Sequence, residues 1–186
     1  MQKPSILAIS GSTNSDSSSW QLLRFINQKY TDLFHLDFYE GLSDLPHFNP
    51  VQSDTNVPAK VEKLREQIAK ADGVLFCTPE YVFSLPGSLK NLIEWNVSTT
   101  LFSEKPVAII VAAASGKKAL ESLELILTTI EAVLPDQSKL LIQGVKGKVK
   151  NEEIDHAPTL EGIDRLMDSF IKSIRQPVKK PTKYEG

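Results

Sequence analysis

Two short stretches hold the groups best suited to chemistry. The first is Ser10-Gly11-Ser12-Thr13-Asn14-Ser15-Asp16-Ser17-Ser18-Ser19, a run of hydroxyls with an amide and a glycine. A terminal phosphate offers acceptor oxygens that need donors. Short Ser, Thr and Asn side chains supply them without crowding, and the unused N–H groups of a helix N-terminus add more. The second stretch, Thr78 to Trp95, begins Thr-Pro-Glu-Tyr-Val-Phe-Ser-Leu-Pro-Gly and follows directly on the apolar run Val74-Leu75-Phe76-Cys77. In an open α/β sheet, ligands lie outside the carboxyl ends of the strands, so a loop of this composition is a candidate site wall.

The elements that must hold these stretches alternate along the chain. Buried strands are expected at Ser5–Ser10, Val74–Cys77, Val107–Val111 and Leu140–Ile142. Phe34, Leu36 and Phe38 alternate with His35, Asp37 and Tyr39 in a further strand, with His35 toward solvent or a helix edge. Helices are expected at about Ser17–Lys29, along Val61, Leu64, Ile68 and Ala71, from near Pro86 through Ile93, from Leu120 to Leu134 before Pro135, and along Ile163, Leu166, Phe170 and Ile174. Residues 41–58, with Pro46, Pro50 and Pro58, read as a long irregular connection on which His47 could line a substrate entrance. Strands alternating with helices give an α/β fold, a doubly wound five-stranded parallel sheet with helices on both faces. Residues 1–176 form one domain, and 177–186, polar and twice interrupted by proline, read as a disordered tail.

Composition narrows the function. A chain of 186 residues, 41% hydrophobic and 24% charged, suits a single globular domain. Its formal net charge of −2 lacks the basic field that neutralises nucleic-acid phosphates. No stretch has the length and apolarity of a signal segment or membrane span, so a cytoplasmic protein is expected, with neither nucleic acid nor membrane as partner. The single cysteine, Cys77, ends an apolar run and reads as core. His35, His47 and His156 show no metal-ligand spacing, and neither a nucleophile elbow nor a nucleotide-triphosphate loop is present.

Residues 78–95 resemble the TPEYN-S-PG-LKN-ID signature of the NADPH-dependent FMN reductase family, which includes quinone, azo-dye and chromate reductases. Ser10–Ser19 resembles that family's GS-x-R-x-x-S-x-N phosphate motif, with Gly11, Ser12 and Ser17 matching. The resemblance covers about residues 5–145 and implies the flavodoxin-like strand order 2-1-3-4-5. It implies FMN as cofactor, NADPH or NADH as electron donor, and a quinone or other small-molecule electron acceptor. By the same resemblance Ser10, Ser12, Asn14, Ser17, Ser18 and Ser19 bind the phosphate, Pro79, Glu80, Tyr81, Val82 and Phe83 wall the isoalloxazine, and Ser115 and Gly116 belong to a third flavin loop, residues 112–118. No residue is assigned as a catalytic acid, base or metal ligand, because hydride transfer between rings needs positioning rather than a protein nucleophile. A homodimer or homotetramer is implied, with Leu85, Leu92 and Trp95 as interface residues; for Trp95 the core is the other reading.

The chain departs from the family at four points. Asn14 stands where an Arg is usual, which removes a fixed positive charge from the phosphate site; Ser19 stands where an Asn is usual; Val82 replaces an Asn; and Lys117 and Lys118 follow Gly116 where further glycines are usual. These departures keep a second reading open, a flavodoxin-like binding or regulatory protein with weakened FMN or nucleotide binding and no turnover.

Overall fold

The structure, a computed structural model, describes residues 2–176; the expectation of a disordered tail lies outside the described residues. Five parallel strands, β1 (Ser5–Ser10), β2 (His35–Tyr39), β3 (Gly73–Thr78), β4 (Val107–Ala113) and β5 (Lys139–Gln143), form one sheet in the order β2-β1-β3-β4-β5. Five helices connect and cover them: α1 (Ser18–Lys29), α2 (Ala59–Lys70), α3 (Gly87–Glu94), α4 (Lys117–Thr129) and α5 (Ala157–Arg175). This is the expected flavodoxin-like, doubly wound order.

Side chains on a strand alternate between faces, and here both faces are buried, which is why the central strands read as unbroken apolar runs. Leu7, Ile9, Val74, Phe76, Ile109 and Val111 point into the core shared with α2, α3 and α4. Their neighbours Ile6, Ala8, Leu75, Cys77, Ala108 and Ile110 point into the core under α1 and α5. Burial pushes the Cys77 thiol up to about 12, with the neighbouring Ser19 hydroxyl offsetting a smaller part, so at neutral pH it packs as an apolar group.

Three expectations are corrected. The helix expected to reach Leu134 stops at Thr129, and Glu131 turns the chain with φ +65°. The backbone that follows is needed elsewhere: Val133 N–H donates to Lys105 O at 2.9 Å and Val133 O accepts from Val107 N–H at 2.9 Å, stitching this segment to the start of β4. Leu85 and Leu92 are core rather than interface, and Trp95 takes the core reading. Trp95 meets Phe48 edge-on at 5.4 Å and its indole N–H donates to Pro46 O at 2.7 Å. Finally, a small antiparallel hairpin, β6 (Val149–Lys150) with β7 (Glu153–Ile154), lies between β5 and α5 where none was expected.

The long connection is tied down rather than loose. Asn91 accepts from Phe48 N–H at 2.7 Å and donates to Pro46 O at 3.0 Å, while Arg65 donates to Ser53 O at 3.0 Å and Trp95 O at 2.5 Å. His47 sits exposed on this strapped segment and does not line the cleft described next. Among the described residues, no helix is long and apolar enough to cross a membrane.

Candidate functional site

Because β1 runs to β2 on one side while β3 lies on the other, the loops leaving β1 and β3 diverge and open a crevice at the carboxyl edge of the sheet. A cleft of about 580 Å3 lies there. Four segments wall it: the β1–α1 loop with the first residues of α1, the start of the β3–α3 loop, the end of β4, and the turn after β5.

The β1–α1 loop is built by its own hydroxyls. Gly11 N–H donates to Cys77 O at 2.8 Å, extending the β1–β3 ladder by one rung. Ser10 Oγ accepts from Ser12 N–H at 3.2 Å, Ser12 Oγ from Asn14 N–H at 3.2 Å, and Asn14 Oδ1 from Asp16 N–H at 2.9 Å. Ser17 then caps α1, its Oγ accepting from Trp20 N–H at 3.4 Å. This leaves the first-turn N–H groups of Ser18 and Ser19 without intrahelical partners at the cleft wall, where the helix dipole is positive. Ser19 Oγ is buried with no hydrogen-bond partner of standard geometry, its neighbour being the Cys77 thiol, and Ser19 lines the cleft. Two open N–H groups at a helix N-terminus, beside Ser17 and Ser18 at the cleft wall, fit an anionic ligand group that accepts from them.

Gly11 is explained by space rather than by torsion. Its φ is not positive, so no unusual turn requires it; instead a Cβ there would stand 2.1 Å from Thr78 Oγ1 and 2.6 Å from Thr78 Cβ.

On the facing wall, Glu80 has a role the sequence concealed. Its Oε1 accepts from Gly116 N–H and its Oε2 from Ala119 N–H, each at 3.0 Å, so the carboxylate caps the N-terminus of α4. These bonds, from Ala119 first and then Gly116, hold its pKa below the ordinary carboxylate value. The β3–α3 and β4–α4 loops are thereby joined by one side chain. Beyond Glu80 the chain makes a tight turn in which Tyr81 and Ser84 exchange both backbone hydrogen bonds at 3.0 Å. The two central residues, Val82 and Phe83, take φ of +51° and +55°, a conformation that suits Gly or Asn and strains a β-branched side chain. Both project into solvent, Val82 at 96% and Phe83 at 77% exposure.

Gly116 takes φ +87° and is packed so that a Cβ would meet Leu141 Cδ1 at 2.6 Å, which is why a glycine opens α4. Lys117 and Lys118 are exposed at the helix start, and Lys118 pairs with Glu121 at 2.7 Å.

The cleft therefore gathers Asn14, Ser17, Ser18, Ser19, Pro79, Glu80 and Tyr81 from the expected set. Ser10 and Ser12 lie buried beneath the loop, Val82 and Phe83 project into solvent, and the cleft is lined by neither the exposed Ser115 nor the buried Gly116, so none of these six lines it. Asp16 and Ala112 to Ala114 line it from the two loops that the resemblance named, though not as assigned site residues, and Gly144 to Lys146 line it without having been singled out. The available signal for that last segment was position alone, since it follows a parallel strand at the same edge.

A flavodoxin-like sheet with a phosphate-type loop at its switch point defines the class of protein. Within that class, the sequence matches the NADPH-dependent FMN reductase family over residues 4–146, and the chain belongs to that family. It is 29% identical to NADH-dependent flavin reductase subunit 2 of Lactobacillus johnsonii over 94% of this chain and 99% of that one. It is 27% identical to the quinone reductase of Escherichia coli over 94% of this chain and 97% of that one. The fold superposes on the flavoenzyme NAD(P)H:(acceptor) oxidoreductase FerB of Paracoccus denitrificans with a TM-score of 0.81 at 22% identity, covering 94% and 98% of the two chains. The protein is accordingly an NAD(P)H-dependent oxidoreductase of the FMN-using type, and the reading as a binding module without turnover finds no support in these likenesses.

Proposed function

We propose that the cleft holds FMN with its phosphate at the N-terminus of α1 and its ring along Pro79, Glu80 and Tyr81, and that the protein passes electrons from NAD(P)H to a quinone or other small acceptor. The observation that carries this reading is the meeting, in one cleft, of the open Ser18 and Ser19 N–H groups at a helix N-terminus with the polar and aromatic wall after β3. FMN, when bound, supplies the two-electron chemistry between nicotinamide and acceptor. The residues of this chain bind and orient. Ser17, Ser18 and Ser19 supply donors to the phosphate, with Ser10 and Ser12 bracing the loop from beneath. Pro79 and Tyr81 limit where a flat ring can lie. Glu80 holds the two ring-side loops at a fixed separation, with Ser115 and Gly116 on the loop it clamps. Val82 and Phe83 extend the apolar rim on the open side, where an acceptor ring arrives.

Anaerobic addition of FMN to the purified apoprotein should quench flavin fluorescence at one equivalent, and subsequent NADPH or NADH should bleach the visible flavin absorbance, with recovery on adding a quinone. Failure to bind FMN, or binding without bleaching by either nucleotide, overturns the proposal.

We further propose a homodimer acting in the cytoplasm. A lone buried thiol with no disulfide suits a reducing compartment. Between α3 and α4 lies an apolar groove of about 460 Å3 lined by Phe48, Ile93, Val97, Leu125, Ile126 and Ile130, with Leu125 69% exposed and Val97 58% exposed. Apolar side chains so exposed on adjoining helices suit burial against a second copy. Leu125→Glu, which puts a charge at the centre of that surface, should shift the mass measured by sedimentation from two chains to one while leaving the circular dichroism unchanged. An unchanged two-chain mass would place the contact elsewhere.

A further inference from the structure

The cleft that receives a phosphate on this reading is short of positive charge on its loop side. Asn14 supplies no charge, Asp16 adds a negative one, and α1 carries no basic residue in its first turn. The other cations near this edge are committed or turned away: Arg24 pairs with Glu152 at 3.2 Å, Lys118 with Glu121 at 2.7 Å, and Lys117 does not line the cleft. Lys146 does line it, from the turn after β5, and among the described residues it makes no ion pair.

That turn is well held. Gly144 takes φ +61° and its N–H donates to Ala114 O at 3.4 Å, tying the turn to the end of β4. Gly147 N–H donates to Gly144 O at 3.1 Å and Lys148 N–H to Val145 O at 2.9 Å, and the Val145 side chain is buried in the core under α1 and α5. With Val145 anchored inward, Lys146 is exposed and lines the same cleft as the hydroxyl loop.

We infer that Lys146 is the cation of the FMN phosphate site, supplied from the opposite wall of the cleft. The inference rests on the reading of the cleft as the FMN site. A lysine acts as a point charge rather than as a two-pronged donor, so it can serve a phosphate from a different direction than an arginine on the loop would. Placed on the turn after β5, it also makes phosphate binding depend on the register of β5 against β4.

The test compares FMN with riboflavin, which has the same ring and no phosphate, by fluorescence titration of the apoprotein. Lys146→Gln should raise the Kd for FMN about ten-fold, as for loss of one charged hydrogen bond. It should flatten the dependence of that Kd on salt, because one screened attraction is gone. The Kd for riboflavin should not move, and Lys146→Arg should bind FMN about as well as the unaltered protein. Lys150→Gln, the same loss of charge on an exposed residue outside the cleft, should change neither ligand. An unchanged FMN Kd in Lys146→Gln, or equal weakening of FMN and riboflavin, overturns the inference while leaving the FMN site standing. If the unaltered protein binds no FMN, the reading of the cleft itself fails.

Discussion

Gly11→Ala should unfold at a markedly lower temperature and bind FMN more than ten-fold more weakly. The added methyl would lie 2.1 Å from Thr78 Oγ1, 2.6 Å from Thr78 Cβ and 3.1 Å from Leu89 Cδ2, in a position fixed by the Gly11 N–H bond to Cys77 O. Thr78 cannot simply retreat, because it is fully buried at the end of β3 and its hydroxyl donates to Pro79 O at 3.1 Å. Overpacking of this kind costs about 3 kcal/mol. For a chain of this size that corresponds to roughly 6–12 °C in thermal midpoint. The alternative to unfolding is for the β1–α1 loop to lift away from β3, which carries Ser12 and the start of α1 out of register and accounts for the weakened phosphate site. A double variant, Gly11→Ala with Thr78→Gly, separates space from backbone freedom. If contact with Thr78 is the reason for the glycine, the second change recovers part of the loss and the two effects are non-additive. Purely additive destabilisation would show that Thr78 is not the obstacle.

Gly11 also marks where sequence reasoning stops. That a glycine stands between the strand and the serines is legible; why it must be a glycine is not, because the need arises from Thr78 of β3, whose position against β1 is a property of the sheet. The strands themselves were legible for a simple reason: residues buried on both faces leave runs such as Val107 to Val111 with no polar interruption. Helix α4 was overextended because Ile130 and Leu134 keep the apolar spacing after the backbone has turned at Glu131, and a non-glycine residue at φ +65° gives no local warning. Leu85 and Leu92 misled in a similar manner, since an apolar residue on or beside a helix looks alike whether it meets the core or another chain. The strained turn at Val82 and Phe83 could not be read from residues that ordinarily avoid that conformation. Lys146 was invisible as a site residue because neighbouring lysines at 148 and 150 make it one of several, and only the fold selects which faces the cleft.

Glu80→Ala should lower the stability of the protein even with no flavin present, and this separates a clamp from a ligand. If Glu80 acted only on FMN, the apoprotein would melt unchanged. In the structure its carboxylate accepts from Gly116 N–H and Ala119 N–H, both at 3.0 Å, satisfying two of the open donors at the start of α4 with the negative charge that the helix dipole favours there. The side chain is only partly buried, so solvent screening brings each bond below the range for charged partners, to about 1 kcal/mol. Losing both costs about 2 kcal/mol, or roughly 4–8 °C. Glu80→Gln should fall between, because its carbonyl can still accept one N–H while its amide nitrogen confronts the other donor. The pH dependence has a definite sign. The folded-state pKa lies below the ordinary 4.5, so the carboxylate contributes fully above that value and its contribution is lost as pH falls through the lowered one. The gap in thermal midpoint between the unaltered apoprotein and Glu80→Gln should therefore be constant from pH 8 to about pH 5 and close in more acid solution. FMN affinity should fall with the clamp, by about ten-fold in Glu80→Ala, because Pro79 and Tyr81 would no longer be held against the end of β4 and the cost of ordering that wall would fall on binding. An apoprotein midpoint that does not move in Glu80→Ala would return Glu80 to the role of a simple flavin contact.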